Sequence, residues 1–286
     1  MDHTSNRRHF FRYSVMSMLS MLGLSCYILA DTFFVSRRLG ADGLTALNLA
    51  IPIYSILHGC GLMLGMGGAI RYAVLRSRGE VQSANAVFTA TLCAGGMLAV
   101  LFALTGLLFS SAITRLLGAD QAVFAMTETY LRVILLFSPA FLLNDILLCF
   151  VRNDGNPRLS MLAMVTGSIA NILLDYLFLF PLKMGIGGAV LATGLAPVVS
   201  LLLLSTHWRG RPDAVRPIRT HGLCRLLPPL LSLGFPSLVT ELSSAIVMLV
   251  FNSLILGLLG NVGVAAYGVI ANLSLVVLAL LTGIAQ

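Results

Sequence analysis

The feature that most restricts this chain is a succession of eight long apolar runs separated by short polar junctions. They cover roughly residues 14–36, 44–70, 85–109, 123–150, 159–180, 185–206, 230–257 and 262–286. About 20 mostly apolar residues in a helix cross the hydrocarbon core of a bilayer. In lipid every backbone N–H and C=O must be paired within the protein, and runs of this length without strict alternation satisfy that as helices. The expected fold class is therefore an all-α, multi-pass integral membrane protein. Charge content agrees. Only 10% of residues are charged and 58% are hydrophobic, whereas a soluble domain carries about 25% charged residues.

Arg7, Arg8 and Arg12 followed by an apolar run look at first like a signal peptide. The run from Ser14 to Ser36 is too long for the apolar core of one, and no small-residue cleavage site precedes polar sequence. It reads as the first spanning helix. At the other end, Leu281–Gln286 is still apolar, with no polar tail or basic anchor, so the sequence reads as incomplete there.

The net charge of +7 invites a nucleic-acid reading, but the basic residues sit in short clusters between apolar runs, and no basic stripe interleaved with stacking aromatics exists. Their distribution is that of a membrane protein's loops. With the N-terminus inside, thirteen Lys and Arg fall on the inner side and five (Arg37, Arg38, Arg115, Arg132, Lys183) elsewhere. The positive-inside rule then places the N-terminus in the cytoplasm, and the plasma membrane is the expected location. The longest junction, about 207–229, holds Arg209, Arg211, Arg216, Arg219 and Arg225.

Local signals mark the junctions and contacts. Asp154-Gly155-Asn156-Pro157 favours a tight reversal, and Gly40-Ala41-Asp42-Gly43 a turn. Pro52, Pro139, Pro197 and Pro236 fall inside spans, where each removes a backbone hydrogen bond and can kink a helix. The run Gly59 to Gly68 lies within a span with no Lys-Ser/Thr after it, so it reads as a close helix contact rather than a phosphate loop. The five cysteines (Cys26, Cys60, Cys93, Cys149, Cys224) are dispersed without a CxxC, and neither a disulfide framework nor a metal site is expected from them.

A shift of 220 residues lays Leu39-Gly40-Ala41-Asp42-Gly43-Leu44-Thr45-Ala46 on Leu259-Gly260-Asn261-Val262-Gly263-Val264-Ala265-Ala266. Leu, Gly, Gly and Ala coincide. Both copies fall between the first and second helix of a set, and the sets are offset by six helices, so both run the same way. That is the pattern of a parallel repeat.

Acids inside spans are the informative residues, because a charge at mid-bilayer costs about 2.5–3.5 kcal/mol even on insertion scales. Asp31, Asp145, Asp175 and Glu241 qualify. Glu128, four residues before Arg132, reads as an ordinary ion pair along one helix. Asp31 has Tyr27 one turn before it, placed to hydrogen-bond the carboxyl. Ser168, Asn171 and Asp175, spaced i, i+3, i+7, form one polar stripe on the fifth helix, and Thr193 lies in the sixth. Asp31 and Asp175 fall at similar depth. Two carboxyls in one dry site cannot both be charged cheaply, so they share a proton or hold a cation between them. Asn171 and Thr193 would add neutral oxygens suited to Na⁺. Asp145, about two turns from Arg152, reads equally as an interface anchor. Glu241, after Pro236, reads as part of a second site or of a central cavity. His58 reads as a packed, hydrogen-bonded histidine.

The order of motifs resembles a known family. Ala30-Asp31-Thr32-Phe33-Phe34-Val35 with Leu39-Gly40-Ala41 and Ala46 is similar to the opening of multidrug and toxic compound extrusion (MATE) transporters. So are Val151-Arg152-Asn153-Asp154-Gly155-Asn156-Pro157, the stretch Asn171 to Asp175, and Gly185-Ile186-Gly187-Gly188-Ala189 through Ala192-Thr193. The resemblance implies two six-helix lobes around a central cavity. This chain would supply an N-terminal lobe (1–206), a cytoplasmic inter-lobe linker (207–229) and the first two helices of the second lobe (230–286). It also implies export of cationic or amphiphilic small molecules in exchange for H⁺ or Na⁺, without a cofactor. The implied ion site is Asp31, Asn171, Asp175 and Thr193, with Tyr27 beside it. Glu241 does not align with the acidic seventh-helix position of some members.

The runner-up is a flippase for lipid-linked oligosaccharides, which shares the wider architecture but calls for several basic residues within spans. Here Arg132 is the main candidate. An intramembrane enzyme is disfavoured by the absence of DDxxD, HExxH and GxSxG motifs.

Overall fold

The computed structural model describes the backbone of residues 3–209, 211–219 and 222–285, and the side chains of 26–209, 211–219, 222 and 225–274. The side chains of Arg7, Arg8, Arg12, Cys224 and the final stretch Leu281–Gln286 lie outside the described residues. Seven α-helices follow one another: α1 (His3–Ser77), α2 (Val81–Leu116), α3 (Phe124–Leu136), α4 (Ser138–Asn153), α5 (Pro157–Leu179), α6 (Gly185–Leu204) and α7 (Leu223–Ala285). A 3₁₀ turn, Ser205–Trp208, follows α6.

Among the described residues, five helices are long and apolar enough to cross a membrane, and α3 with α4, bent by 51°, makes a sixth. Two of these are far longer than one crossing. The 75 residues of α1 would extend about 110 Å if straight. It is broken at Gly40, with φ 69° and ψ −156°, and α7 is broken at Gly260, with φ 64° and ψ −160°. Positive φ costs a β-carbon-bearing residue dearly and glycine little, which is why the reversal falls on glycine in both helices. Divided at these glycines, the helices follow the eight apolar runs. The two breaks stand 220 residues apart with nearly the same backbone conformation, so the short sequence match has a structural counterpart.

Two details differ from the sequence reading. The run 123–150 is not one straight span: it breaks at Phe137, and Pro139 starts α4 instead of kinking a continuous helix. Pro52, Pro197 and Pro236, by contrast, sit inside continuous helical stretches: the second limb of α1, α6 and the first limb of α7. The junction drawn at 207–229 is shorter, because α7 already includes Pro228 and Pro229. Each lacks the N–H that would bond the carbonyl four residues back, so the carbonyls of Cys224 and Arg225 lose their partners within the helix.

The reversal before α5 forms as its residues dictate. Gly155 takes φ 78°, Asn156 caps the helix by accepting from Leu159 N–H at 3.4 Å, and Pro157 opens the first turn.

Packing along α1 depends on its glycines. A β-carbon on Gly67 would strike the Leu230 carbonyl oxygen of α7, and one on Gly234 of α7 would strike the Met63 carbonyl oxygen of α1. Gly61 and Gly65 abut Asp145 and Ile146 of α4, and Gly68 abuts Phe150. The run thus lets α1 approach two helices at backbone distance, as small residues do where there is no water to expel.

Candidate functional site: a buried carboxylate pair

α1, α3, α5 and α6 converge on one polar cluster. Asp31 comes from the first limb of α1, Asn171 and Asp175 from one face of α5, and Thr193 from α6. Asp175 and Asn171 are buried, at 0% and 1% exposure, and Asp31 is nearly so at 8%. With its amide oriented as its neighbours require, Asn171 donates to Asp175 Oδ2 at 3.1 Å and accepts from the Thr193 backbone N–H at 3.3 Å. The Thr193 hydroxyl donates to Ala189 O at 3.1 Å, leaving its oxygen free to accept. Asp31 and Asp175 lie close enough for each to act on the other's charge.

One oxygen on each acid, Asp31 Oδ1 and Asp175 Oδ1, is buried with no hydrogen-bond partner among the described residues. A buried carboxylate oxygen without a partner is costly, and two such carboxylates side by side more so. The arrangement therefore favours whatever neutralises it, a proton on one acid or a cation between the two. Both acids, the Asn171 carbonyl and the Thr193 hydroxyl are oxygen donors of the kind a hard monovalent cation takes.

Not every residue of the expected set behaves as the sequence suggests. Tyr27 brings its phenol to that of Tyr54 on the second limb of α1, with Asp31 acting on it at longer range. Ser168, first of the α5 stripe, donates its hydroxyl to Met164 O one turn back, at 3.0 Å. Sequence reasoning missed Tyr130. This buried α3 residue places its phenol against Thr193 and near both acids. A lone Tyr in a short helix carries no pattern that sets it apart. Thr32, next to Asp31, was also missed in this role. It accepts from the buried Asn272 of α7 at 2.8 Å, tying the carboxylate's own turn to the far end of the chain.

Asp145 is not paired with Arg152. His58 Nδ1 meets Asp145 Oδ2 at 3.0 Å, and Tyr54 stacks on the His58 ring with 6° between planes. Glu241 packs its stem on Gly59 and bears on His58 from α7. It thus sits beside the His58–Asp145 pair. Arg132 and Glu128 pair at 2.5 Å, and Ser111 donates to the same Glu128 oxygen at 2.7 Å.

On the arginine-rich side, Asp154 gathers the segment after α6. Its carboxylate accepts from Tyr72, from His207 Nε2 at 2.8 Å and from the Val215 N–H at 2.9 Å. Trp208 Nε1 donates to Val215 O at 2.5 Å.

Comparison with known proteins shows the family. A family model described as MatE matches residues 17–177, a range containing Asp31, Asn171 and Asp175. The multidrug export protein MepA of Staphylococcus saprophyticus is 27% identical over 264 residues, covering 90% of this chain and 57% of that protein. MepA of Staphylococcus aureus is 26% identical with the same coverage. Among solved structures, an inward-facing multidrug resistance MATE family transporter of the MOP superfamily superposes with TM-score 0.83 at 28% identity, over 91% of this chain and 59% of that one. The MATE multidrug transporter DinF-BH superposes with TM-score 0.89 at 26% identity, over 96% of this chain and 62% of that one. The chain therefore spans less than two thirds of the length of these relatives.

Proposed function

The chain belongs to the MatE family, and on that premise we propose that it takes part in exporting cationic or amphiphilic small organic molecules across the plasma membrane in exchange for H⁺ or Na⁺. The observation that carries this reading is the Asp31–Asp175 pair, two buried carboxylates each with an unpartnered oxygen. The relatives named as multidrug export proteins support the cargo class.

In this reading the N-terminus is cytoplasmic, α1 to α6 form one lobe and α7 begins a second, related by the 220-residue repeat. The pair takes up its proton or Na⁺ from outside, and neutralisation removes the cost of two like charges in a dry site. The first limb of α1 can then shift at Asp31, and the Asn272–Thr32 bond carries that shift to α7. The driving energy is adequate: one charge moved through about 100 mV is worth about 2.3 kcal/mol. No catalytic step enters, and no cofactor is called for. The flippase reading gains nothing, since Arg132 is already engaged by Glu128.

The test is uptake of ethidium into everted membrane vesicles containing the protein, where export runs inward, energised separately by a pH or a Na⁺ gradient. One gradient should drive uptake, and Asp31→Asn should abolish that dependence at unchanged protein level. Wild-type rates with wild-type gradient dependence in both Asp31→Asn and Asp175→Asn would refute the reading.

A further inference from the structure

A cavity of about 550 Å³ opens where the end of α1, the start of α2 and the start of α7 meet, lined among others by Arg71, Leu75, Glu80, Ser83, Arg225 and Leu226. It lies on the arginine-rich side of the membrane, away from the carboxylate pair. Its charges are unspent. Among the described residues neither Arg71, Arg225 nor Glu80 takes part in an ion pair, and Arg71 Nε is buried without a hydrogen-bond partner. A guanidinium nitrogen shut off from water normally has an acceptor, and none of the described residues supplies one here.

The rest of the lining suits an anion with an apolar body. Among the described residues no side chain caps the N-terminus of α2. The Val81 N–H is taken by Gly79 O at 3.0 Å, which leaves the Gln82 and Ser83 N–H groups and the Ser83 hydroxyl to face the cavity. Arg71 lines the cavity from α1 and Arg225 from α7, and a guanidinium is a planar fork of donors suited to phosphate oxygens. Glu80 sets a limit, since it leaves the site with a net charge of only one positive unit. Leu75 and Leu226 supply apolar wall on the side continuous with the helices. The volume falls in the range of small-molecule sites, and basic pockets between spanning helices on the basic side are suited to lipid headgroups.

We propose that this cavity binds the phosphate headgroup of an anionic phospholipid from the leaflet on the arginine-rich side, held by Arg71 and Arg225. The lipid bridges α1 and α2 to α7, and so adds to the direct contacts by which α1 already meets α7. The proposal is independent of the export reading, because it concerns only a lipid bound at rest.

The experiment is native mass spectrometry of the purified 286-residue chain, released from detergent after titration with dioleoyl phosphatidylglycerol, dioleoyl phosphatidylcholine or inorganic phosphate. One phosphatidylglycerol should bind at least tenfold more tightly than phosphatidylcholine. Arg71→Gln with Arg225→Gln should remove that preference, leaving phosphatidylcholine adducts unchanged. Glu80→Gln, which cannot unfold the site by removing a cation, should tighten phosphatidylglycerol binding about threefold. Equal binding of the two lipids overturns the proposal, as does wild-type phosphatidylglycerol affinity in both the double variant and Glu80→Gln. Inorganic phosphate that displaces phosphatidylglycerol stoichiometrically at similar concentration would make this a free-phosphate site and overturn the lipid assignment.

Discussion

Asn252 of α7 donates its side-chain amide to the backbone carbonyl of Asn48 at 3.0 Å, and that carbonyl is the one Pro52 cannot serve. In an unbroken helix the N–H four residues on would bond it, but proline has none. Both asparagines are buried, at 2% and 0% exposure. A defect in one helix is thus repaired by a side chain from another, and the repair fixes where α7 crosses α1. Thr45 donates in the same region to Asn261 O at 2.7 Å, and Asn48 to Val264 O at 3.3 Å.

This relationship predicts a coupled pair. Asn252→Ala should destabilise the chain by about 1 kcal/mol, the scale of a buried hydrogen bond. In a Pro52→Ala background, where the helix can bond its own carbonyl, the same substitution should cost clearly less. Thermal unfolding of the four proteins in detergent measures the coupling, and additive losses would count against the repair.

The carboxylate pair predicts a stability signature separate from transport. With both acids ionised the cluster holds two like charges in a dry site, so the wild-type melting temperature should fall as pH rises in Na⁺-free buffer. Asp175→Asn removes one charge and should flatten that dependence. If Na⁺ is the coupling ion, adding it should restore the wild-type value at alkaline pH and leave Asp175→Asn unmoved. Identical pH profiles for the two proteins would disprove the shared site.

His58 and Asp145 predict an asymmetric cycle. Asp145→Leu strips the acceptor from a half-buried imidazole, and His58→Leu strips the partner from a carboxylate that is only 7% exposed. Each should cost about 1–3 kcal/mol. The double Leu variant, leaving neither polar group stranded, should be less destabilised than the sum of the two. Melting in detergent decides it.

Helix approach at glycine predicts a sharp contrast. Gly234→Ala would drive a methyl into the Met63 carbonyl oxygen, with no flexible side chain to yield. It should separate α1 from α7 and cost about 2 kcal/mol or more. Gly96→Ala in α2 has nothing within 4 Å and should be neutral or slightly stabilising, since alanine favours helix. Expression level and melting temperature of the two variants test this.

The Asp154 cluster predicts a local release. Asp154→Ala removes the acceptor shared by Tyr72, His207 and the Val215 N–H. The chain has one tryptophan, Trp208, bonded to Val215 O, so its emission should shift to the red and Val215 should exchange its amide hydrogen faster. An unchanged spectrum and unchanged exchange would mean that Asp154 does not hold this segment.

Much of this was legible in the residues themselves. The spans were readable because lipid tolerates no unpaired backbone, so a helix needs only enough apolar length to declare itself. Asp31, Asn171 and Asp175 stood out because acids inside apolar runs are costly and the α5 stripe has helical spacing. Pairings between helices were less accessible. Asp145 has Arg152 two turns away in sequence, yet it bonds His58, which is 87 positions distant.

The sequence by itself therefore determined the class of fold, the order of its helices, the breaks at Gly40 and Gly260 as turn points, and which acids had to be explained. Those follow from local costs: apolar length, positive φ, buried charge. Tertiary structure alone decided that Tyr27 turns to Tyr54, that Tyr130 enters the carboxylate cluster, that Asn252 repairs the Pro52 defect, and that Arg71 and Arg225 face one cavity. Each is a contact between helices whose rotation and crossing depend on how many glycines and side chains pack together, a sum over the whole molecule that no short window of residues contains.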